Sequence, residues 1–258
     1  MKYLTLLWIV IGPLGFTNAL MAKSLPTSKA ERVGMSAERL DRITQMTQQY
    51  VDEGRVAGVV TMVARNGKLV HFEAVGNKGT DDPRPLEKND LFRIYSMTKP
   101  ITATAAMQLY EQGKFHMNDP VHKFIPEFKD LTVLNERGEQ VPVRNHMTMQ
   151  QLLSHTTGLS YGFDPQNDPV DKLYVDANLW EQEDLDAFTK VVAKLPLKFE
   201  PGSAWHYSIA VDVTGAIVER ISGQSFEEYL KEKIFDPLGM DDTFFQLPAD
   251  KKARFLPN

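Results

Sequence analysis

The sequence predicts a mixed α/β chain of the α+β kind, an antiparallel sheet with helices joined to a mostly helical region. Three observations carry this. The chain opens on a helix-patterned stretch followed by a hairpin signal. From about residue 98 to 240 the patterning is helical, with few strand signals. Glycine or proline closes each of those helical runs. At 258 residues, 42% of them hydrophobic, the chain has ample material for a buried core.

In order, Ser36 is the expected cap of a first helix whose apolar face is Leu40, Ile43, Met46 and Val51, with Gly54 at its stop. In "GVVTMVARNGKLVHFEAVG", two β-rich runs flank Asn66-Gly67, the dipeptide that best fits a tight hairpin turn. "ITATAAMQLYEQGKF" reads as a strong helix with Pro100 in its first turn and Gly113 at its end. Thr148 caps "TMQQLLSH", with Gly158 expected as its left-handed stop. "EQEDLDAFTKVVAKLP" ends at Pro196, while "IAVDVTGAIVERISG" and "SFEEYLKEKIFDPLG" each end near a glycine. The Pro- and Asp-rich stretch from Phe163 to Asp176 reads as a long loop of the kind that shapes or covers a site.

Before all of these stands "MKYLTLLWIVIGPLGFTNALMA", with Lys2 at its start, an uncharged run from Tyr3 to Gly12, and small residues at Ala19 and Ala22. Residues 1–22 have the layout of a signal peptide, so a periplasmic or secreted location is expected. The run is too short for a membrane span of about 20 residues, and no later segment approaches one. The net charge of -5 and the lack of a basic stripe argue against a nucleic-acid partner. With no cysteine, disulfides and thiolate chemistry are excluded. The six histidines are scattered without ligand spacing, so neither a metal nor another cofactor is expected.

Two serines compete for a catalytic role. Ser160 lies in "GLSYG", the Gly-x-Ser-x-Gly spelling of a nucleophile elbow. An elbow requires a strand before its serine and a helix after it. Here "QQLLSHTTG" reads as a helix end and turn, and a proline-rich loop follows, so Ser160 is not expected to be the nucleophile. Ser96 begins Ser-x-x-Lys with Lys99. With ten serines and 18 lysines in the chain, about 0.7 such matches arise by chance, so the spacing needs structural support. The flanks supply it. Ser96 stands at the start of a strong helix, where backbone N–H groups and the helix dipole favour developing negative charge. Lys99 falls one turn on, along the same face. A partly desolvated lysine beside another cation can lose its proton and serve as a base. Tyr207, after a Pro-Gly turn, is a second candidate base if a cation lowers its pKa. His155 and His206 adjoin these stretches and read as packing or hydrogen-bonding residues.

Taken together, "YSMTKPIT", "NDPVHKFIPEF", "MTMQQLLSHTTGLSYGF", "PGSAWHYSIAVDVTGAIVERISGQSFEEYL" and "IFDPLGMDDTFF" resemble the serine β-lactamase and penicillin-binding-protein superfamily. The closest likeness is to its class C β-lactamase-like branch, which includes family VIII carboxylesterases. The matching stretches keep the family's order over about residues 30–245. The resemblance implies a β-lactamase-like fold: an α/β part beginning at residues 30–95, a mostly helical part at 96–245, and a tail at 246–258. It implies Ser96 as acylated nucleophile, Lys99 as its partner base, and Tyr207 as the proton relay. The implied partner is a small-molecule ester or amide. The family's Tyr-x-Asn asparagine is Ile209 here, which offers no hydrogen bond to an amide side chain and favours an esterase. No Lys-Thr-Gly, His-x-Gly or Trp-x-Gly follows Tyr207, so the resemblance implies a C-terminally truncated member with an incomplete sheet. A β-lactamase or D-Ala-D-Ala peptidase, and an inactive binding protein, remain as alternatives. An uncovered sheet edge and face also imply poor stability for the chain by itself.

Overall fold

The fold comes from a computed structural model that describes residues 25–135 and 137–257; the signal-peptide reading of residues 1–22 lies outside them. Helix α1 (Ala37–Asp52) begins where Ser36 accepts a hydrogen bond from the Arg39 N–H, the capping predicted from sequence. It lies against an antiparallel hairpin of β1 (Gly58–Arg65) and β2 (Lys68–Gly76). Asn66 and Gly67 form the turn with φ of 51° and 67°, the left-handed pair that such a turn demands. The chain before α1 adds one short tie to β2, with the Ser28 N–H donating to the Leu69 carbonyl at 2.9 Å.

Helix α2 (Thr98–Glu111) starts after a single 3-10 turn at Tyr95–Met97. Its inner face, Thr102, Ala105, Ala106 and Leu109, packs on α6 (Ala210–Ser222). The small alanines let the two backbones approach closely. α6 is the central post of the helical part: Val213, Ala216, Ile217 and Val218 are all buried. Burying each larger apolar side chain of this kind contributes about 1.5–3 kcal/mol. α3 (Met149–Leu153), α5 (Leu185–Val192) and α7 (Phe226–Leu230) pack around it. The core thus gathers Leu109, Phe115, Ile125, Leu152, Val192, Leu197 and Leu230.

Three sequence expectations need correction. The stretch from Phe163 to Asp176 is not all loop: Pro169–Asp176 is helix α4. Asp168 caps it, accepting from the Val170 and Asp171 N–H groups, and Pro169 takes the first position, where its missing N–H costs nothing. A second small hairpin, β3 (Thr132–Leu134) with β4 (Gln140–Pro142), sits inside the region read as helical. The left-handed stop of α3 falls at His155, φ 56°, rather than at Gly158. The tail at 246–257 packs back onto the chain before the serine, where the Leu91 N–H donates to the Arg254 carbonyl at 2.8 Å and the Leu256 N–H to the Leu91 carbonyl at 3.0 Å. No described helix is long and apolar enough to cross a membrane.

Candidate active site

Three segments converge on the start of α2. The first is the 3-10 turn carrying Ser96. Tyr95, just before it, adopts φ 41°, a left-handed conformation that costs a non-glycine residue roughly 1–2 kcal/mol and projects the serine outward. The other two segments, 155–162 and 198–208, run side by side. The Lys198 N–H donates to the Gly158 carbonyl at 2.8 Å, the Gly202 N–H to Thr156 at 2.7 Å, and the His206 N–H to His155 at 2.9 Å. This lacing explains why "GLSYG" and "WHY", 46 residues apart at Ser160 and His206, share one wall.

Ser96, Lys99 and Tyr207 come together there. The Tyr207 hydroxyl lies 2.6 Å from Ser96 Oγ, and Lys99 Nζ donates to Ser96 Oγ at 3.3 Å. Lys99 also donates to the Tyr161 hydroxyl at 3.0 Å, and Tyr161 in turn donates to Asp212 at 2.9 Å. The ammonium sits 4.7 Å from the centre of the Tyr207 ring and 5.2 Å from that of Tyr161, within cation–π reach of both. These residues line a cavity of about 460 Å³ whose other walls include Phe163, Leu185, Val211, Phe226 and Phe245. Among the described residues its charged side chains are Lys99 and Asp212, so it suits an uncharged, largely apolar guest.

The electrostatics divide the labour. Burial alone would push the Lys99 pKa down, but its contacts with Tyr161 and Tyr207 outweigh burial and hold it above the ordinary lysine value. Beside it, the Tyr207 phenol is held below the ordinary tyrosine value, first by Lys99 and then by Ser96. Burial pushes Tyr161 up to about 12, so it stays neutral. His155 is held below the usual histidine value by burial and by the Lys99 charge. Its ring accepts from the Ser208 N–H at 3.2 Å and lies 5.0 Å from the Tyr207 ring, supporting that tyrosine from behind.

Ser160 is elsewhere in character. Its hydroxyl is fully buried, donates to Asp171, accepts from the Gly162 N–H at 3.0 Å and lies 3.4 Å from His206 Nε2. Asp171 is further bound by Lys198 at 2.8 Å. Serine, histidine and aspartate thus meet, but the carboxylate holds the serine directly instead of orienting the histidine, and Ser160 does not line the cavity beside Ser96. Ile209 is buried in the core and presents nothing to the cavity, so the esterase preference gains no support from that side chain facing a substrate. Tyr161 and Asp212 were not anticipated. Tyr161 was in view inside "GLSYG", but nothing local in the sequence pairs it with an aspartate 51 positions away. Among the described residues no cluster of three or more His, Cys, Asp or Glu side chains forms a metal site.

Comparison with known proteins agrees with this architecture. Esterase EstB of Burkholderia gladioli is 35% identical over 85% of this chain and 54% of its own length. Lovastatin esterase of Penicillium rubens is 30% identical over 81% of this chain and 54% of its own. Among solved structures, EstCE1, a hydrolase with promiscuous acyltransferase activity, superposes with a TM-score of 0.73 at 30% identity, over 85% of this chain and 56% of that one. Simvastatin synthase from Aspergillus terreus gives 0.71 at 28% identity, over 86% and 57%. The chain spans about half the length of the curated relatives it matches. The Beta-lactamase family model matches residues 43–256, and with a serine, lysine and tyrosine converging at the head of α2, this chain belongs to that family.

Proposed function

We propose that the protein is a serine hydrolase that cleaves small carboxylic esters through an acyl-enzyme on Ser96. The observation that carries this is the 2.6 Å contact between Tyr207 and Ser96 Oγ, with Lys99 Nζ 3.3 Å from the same oxygen, at the mouth of a largely apolar cavity. With Tyr207 ionised, that hydrogen bond runs from the serine to the phenolate. Ser96 Oγ attacks the acyl carbon as its proton passes to Tyr207. The tetrahedral oxyanion forms over the N-terminus of α2, where the helix dipole favours negative charge. Tyr207 then gives the proton to the departing alkoxide, and the alcohol leaves. Water repeats the sequence: it attacks the acyl carbon as Tyr207 takes its proton, the acyl–Ser96 bond breaks, Tyr207 returns the proton to Ser96 Oγ, and the carboxylic acid and free serine result. Lys99 stays protonated throughout. Phe163, Leu185, Val211, Phe226 and Phe245 form an apolar wall that fits the acyl or alcohol part of a small uncharged ester. The names of EstB and Lovastatin esterase point the same way.

A fluorophosphonate probe followed by mass spectrometry tests the reading. Labelling is expected on Ser96 and absent in Ser96→Ala; labelling that survives that substitution refutes it. A second reading, a D-Ala-D-Ala peptidase or β-lactamase, draws on a relative from Escherichia coli named a putative D-alanyl-D-alanine carboxypeptidase, 28% identical over 86% of this chain. Turnover of nitrocefin rivalling that of p-nitrophenyl butyrate would make that the better account. The layout of residues 1–22 further supports export to the periplasm or medium, to be checked by N-terminal sequencing of the mature protein.

A further inference from the structure

Asp212 has no task in the acyl-transfer scheme. It stands in the first turn of α6, five positions after Tyr207, and lines the cavity. Its one side-chain hydrogen bond among the described residues is from Tyr161 at 2.9 Å, and it makes no salt bridge there. Lys99 reaches the same phenol oxygen from the other side, at 3.0 Å. A phenol has one proton to give. With the Lys99 N–H on its lone pair, Tyr161 must point that proton at Asp212. The chain therefore has a fixed polarity, lysine to phenol to carboxyl, and it requires Tyr161 to keep its proton.

We propose that Asp212 is a positioning residue which, through Tyr161, keeps Lys99 charged and aimed at Ser96. The proposal rests on the acyl-transfer reading of the site. Among the described residues no other charged side chain lines the cavity. Facing Asp212 are Lys99 from α2, Tyr161 from the loop after α3 and Tyr207 from the turn before α6, while α5, α7 and the tail contribute the apolar Leu185, Phe226 and Phe245 to the cavity. Burial raises the Asp212 pKa, and the contacts with Tyr161 and Lys99 oppose it. The alternative, an ordinary acidic partner for the α6 dipole, concerns stability alone.

The sign of the test follows from charge. A negative group raises the pKa of every neighbour, so Asp212→Asn lowers both Lys99 and Tyr207. For a charge at this range the displacement is about one pH unit or more. Two readouts are taken on the intact protein. The first is the pH profile of fluorophosphonate labelling, whose acid limb reports Tyr207 and alkaline limb Lys99. The second is a 13Cε-lysine NMR titration, with Lys99 assigned through Lys99→Arg. Asp212→Asn is expected to move both limbs to lower pH and to lower the Lys99 titration, and Asp212→Glu to restore part of each. A profile that loses height without moving, or a Lys99 titration that stays in place in a folded variant, overturns the proposal. Should Asp212→Asn fail to fold, Tyr161→Phe breaks the same link, and an unmoved Lys99 titration there overturns it equally. A wild-type protein that never labels at Ser96 refutes the acyl-transfer reading, while the NMR titration still decides the role of Asp212.

Discussion

Replacing Ser160 by alanine separates the two serines most sharply. The Ser160 hydroxyl donates one bond to a carboxylate and accepts one from the Gly162 N–H at 3.0 Å, at a site with no solvent access. Alanine removes both. Asp171 keeps Lys198 at 2.8 Å and the Asp164 N–H at 3.0 Å, so its charge is not abandoned. The Gly162 N–H loses its side-chain acceptor. A hydrogen bond to a charged group is worth about 1.5–3 kcal/mol, and the half-buried Gly162 N–H adds less than a fully buried donor would, leaving a cost of about 2–3 kcal/mol. For a chain of this size that lowers Tm by about 4–12 °C. The chemistry should survive, because Ser160 touches neither Ser96 nor the cavity. Differential scanning calorimetry and fluorophosphonate labelling at a temperature well below both transitions make the comparison. A variant with wild-type Tm that no longer labels would refute the assignment, because only a catalytic Ser160 gives that pair of results.

Tyr207→Phe keeps the ring packed against His155 and Tyr161 but removes the proton acceptor 2.6 Å from Ser96; kcat/KM for a p-nitrophenyl ester should fall by about 10²–10⁴, and a fall under threefold would remove Tyr207 from the base role. Asp171 has a folded-state pKa below its ordinary value, because Lys198 and Ser160 outweigh the effect of burial. Its contribution is therefore complete above the unfolded value of about 3.9 and is lost as pH falls through the lower folded value. Thermal melts from pH 6 to 2 should show Asp171→Asn already destabilised at pH 6 and converging with wild type under acid. Gly158→Ala must fit a Cβ at φ 85° within 2.3 Å of the Phe199 carbonyl oxygen. Left-handed strain plus the bond lost from Lys198 costs about 2–3 kcal/mol. Labelling of Ser96 should slow with it, since the lacing that carries Tyr161 and Tyr207 is disturbed; an unchanged Tm would count against the close approach.

What was legible in the sequence is what local chemistry dictates. Asn66-Gly67 can hardly be anything but a tight turn, and Ser36 and Thr148 cap helices with their own side chains. Ser96 and Lys99 share a helical face because three positions make nearly one turn. α4 was missed because aspartate and proline serve both loops and helix starts, and only the burial of Val170, Asp171 and Tyr174 decides between them. β3 and β4 are three residues each, too short for a period-2 pattern to register. Tyr207 was visible as a tyrosine after a Pro-Gly turn, but its link to Ser96 came through family likeness, since no local rule joins it to a serine 111 positions away. The Tyr161–Asp212 pair depends on how two distant segments dock, which neither segment encodes alone.

The Gly-x-Ser-x-Gly spelling illustrates the same boundary. In an elbow, its glycines make room for a strand to turn into a helix behind an exposed serine. In this chain they answer a different crowding. A Cβ on Gly158 would meet the Phe199 carbonyl oxygen at 2.3 Å, and one on Gly162 the Asp171 carbonyl oxygen at 2.9 Å. Both glycines hold left-handed φ, 85° and 79°, which leaves the serine between them turned inward onto a carboxylate. The motif thus reports a demand of the backbone, two close approaches four residues apart, and that demand is compatible with opposite fates for the central hydroxyl. What separates the fates is the partner the hydroxyl meets. Ser96 meets a phenol and an ammonium at the mouth of a cavity, whereas Ser160 meets a buried carboxylate that already holds a lysine.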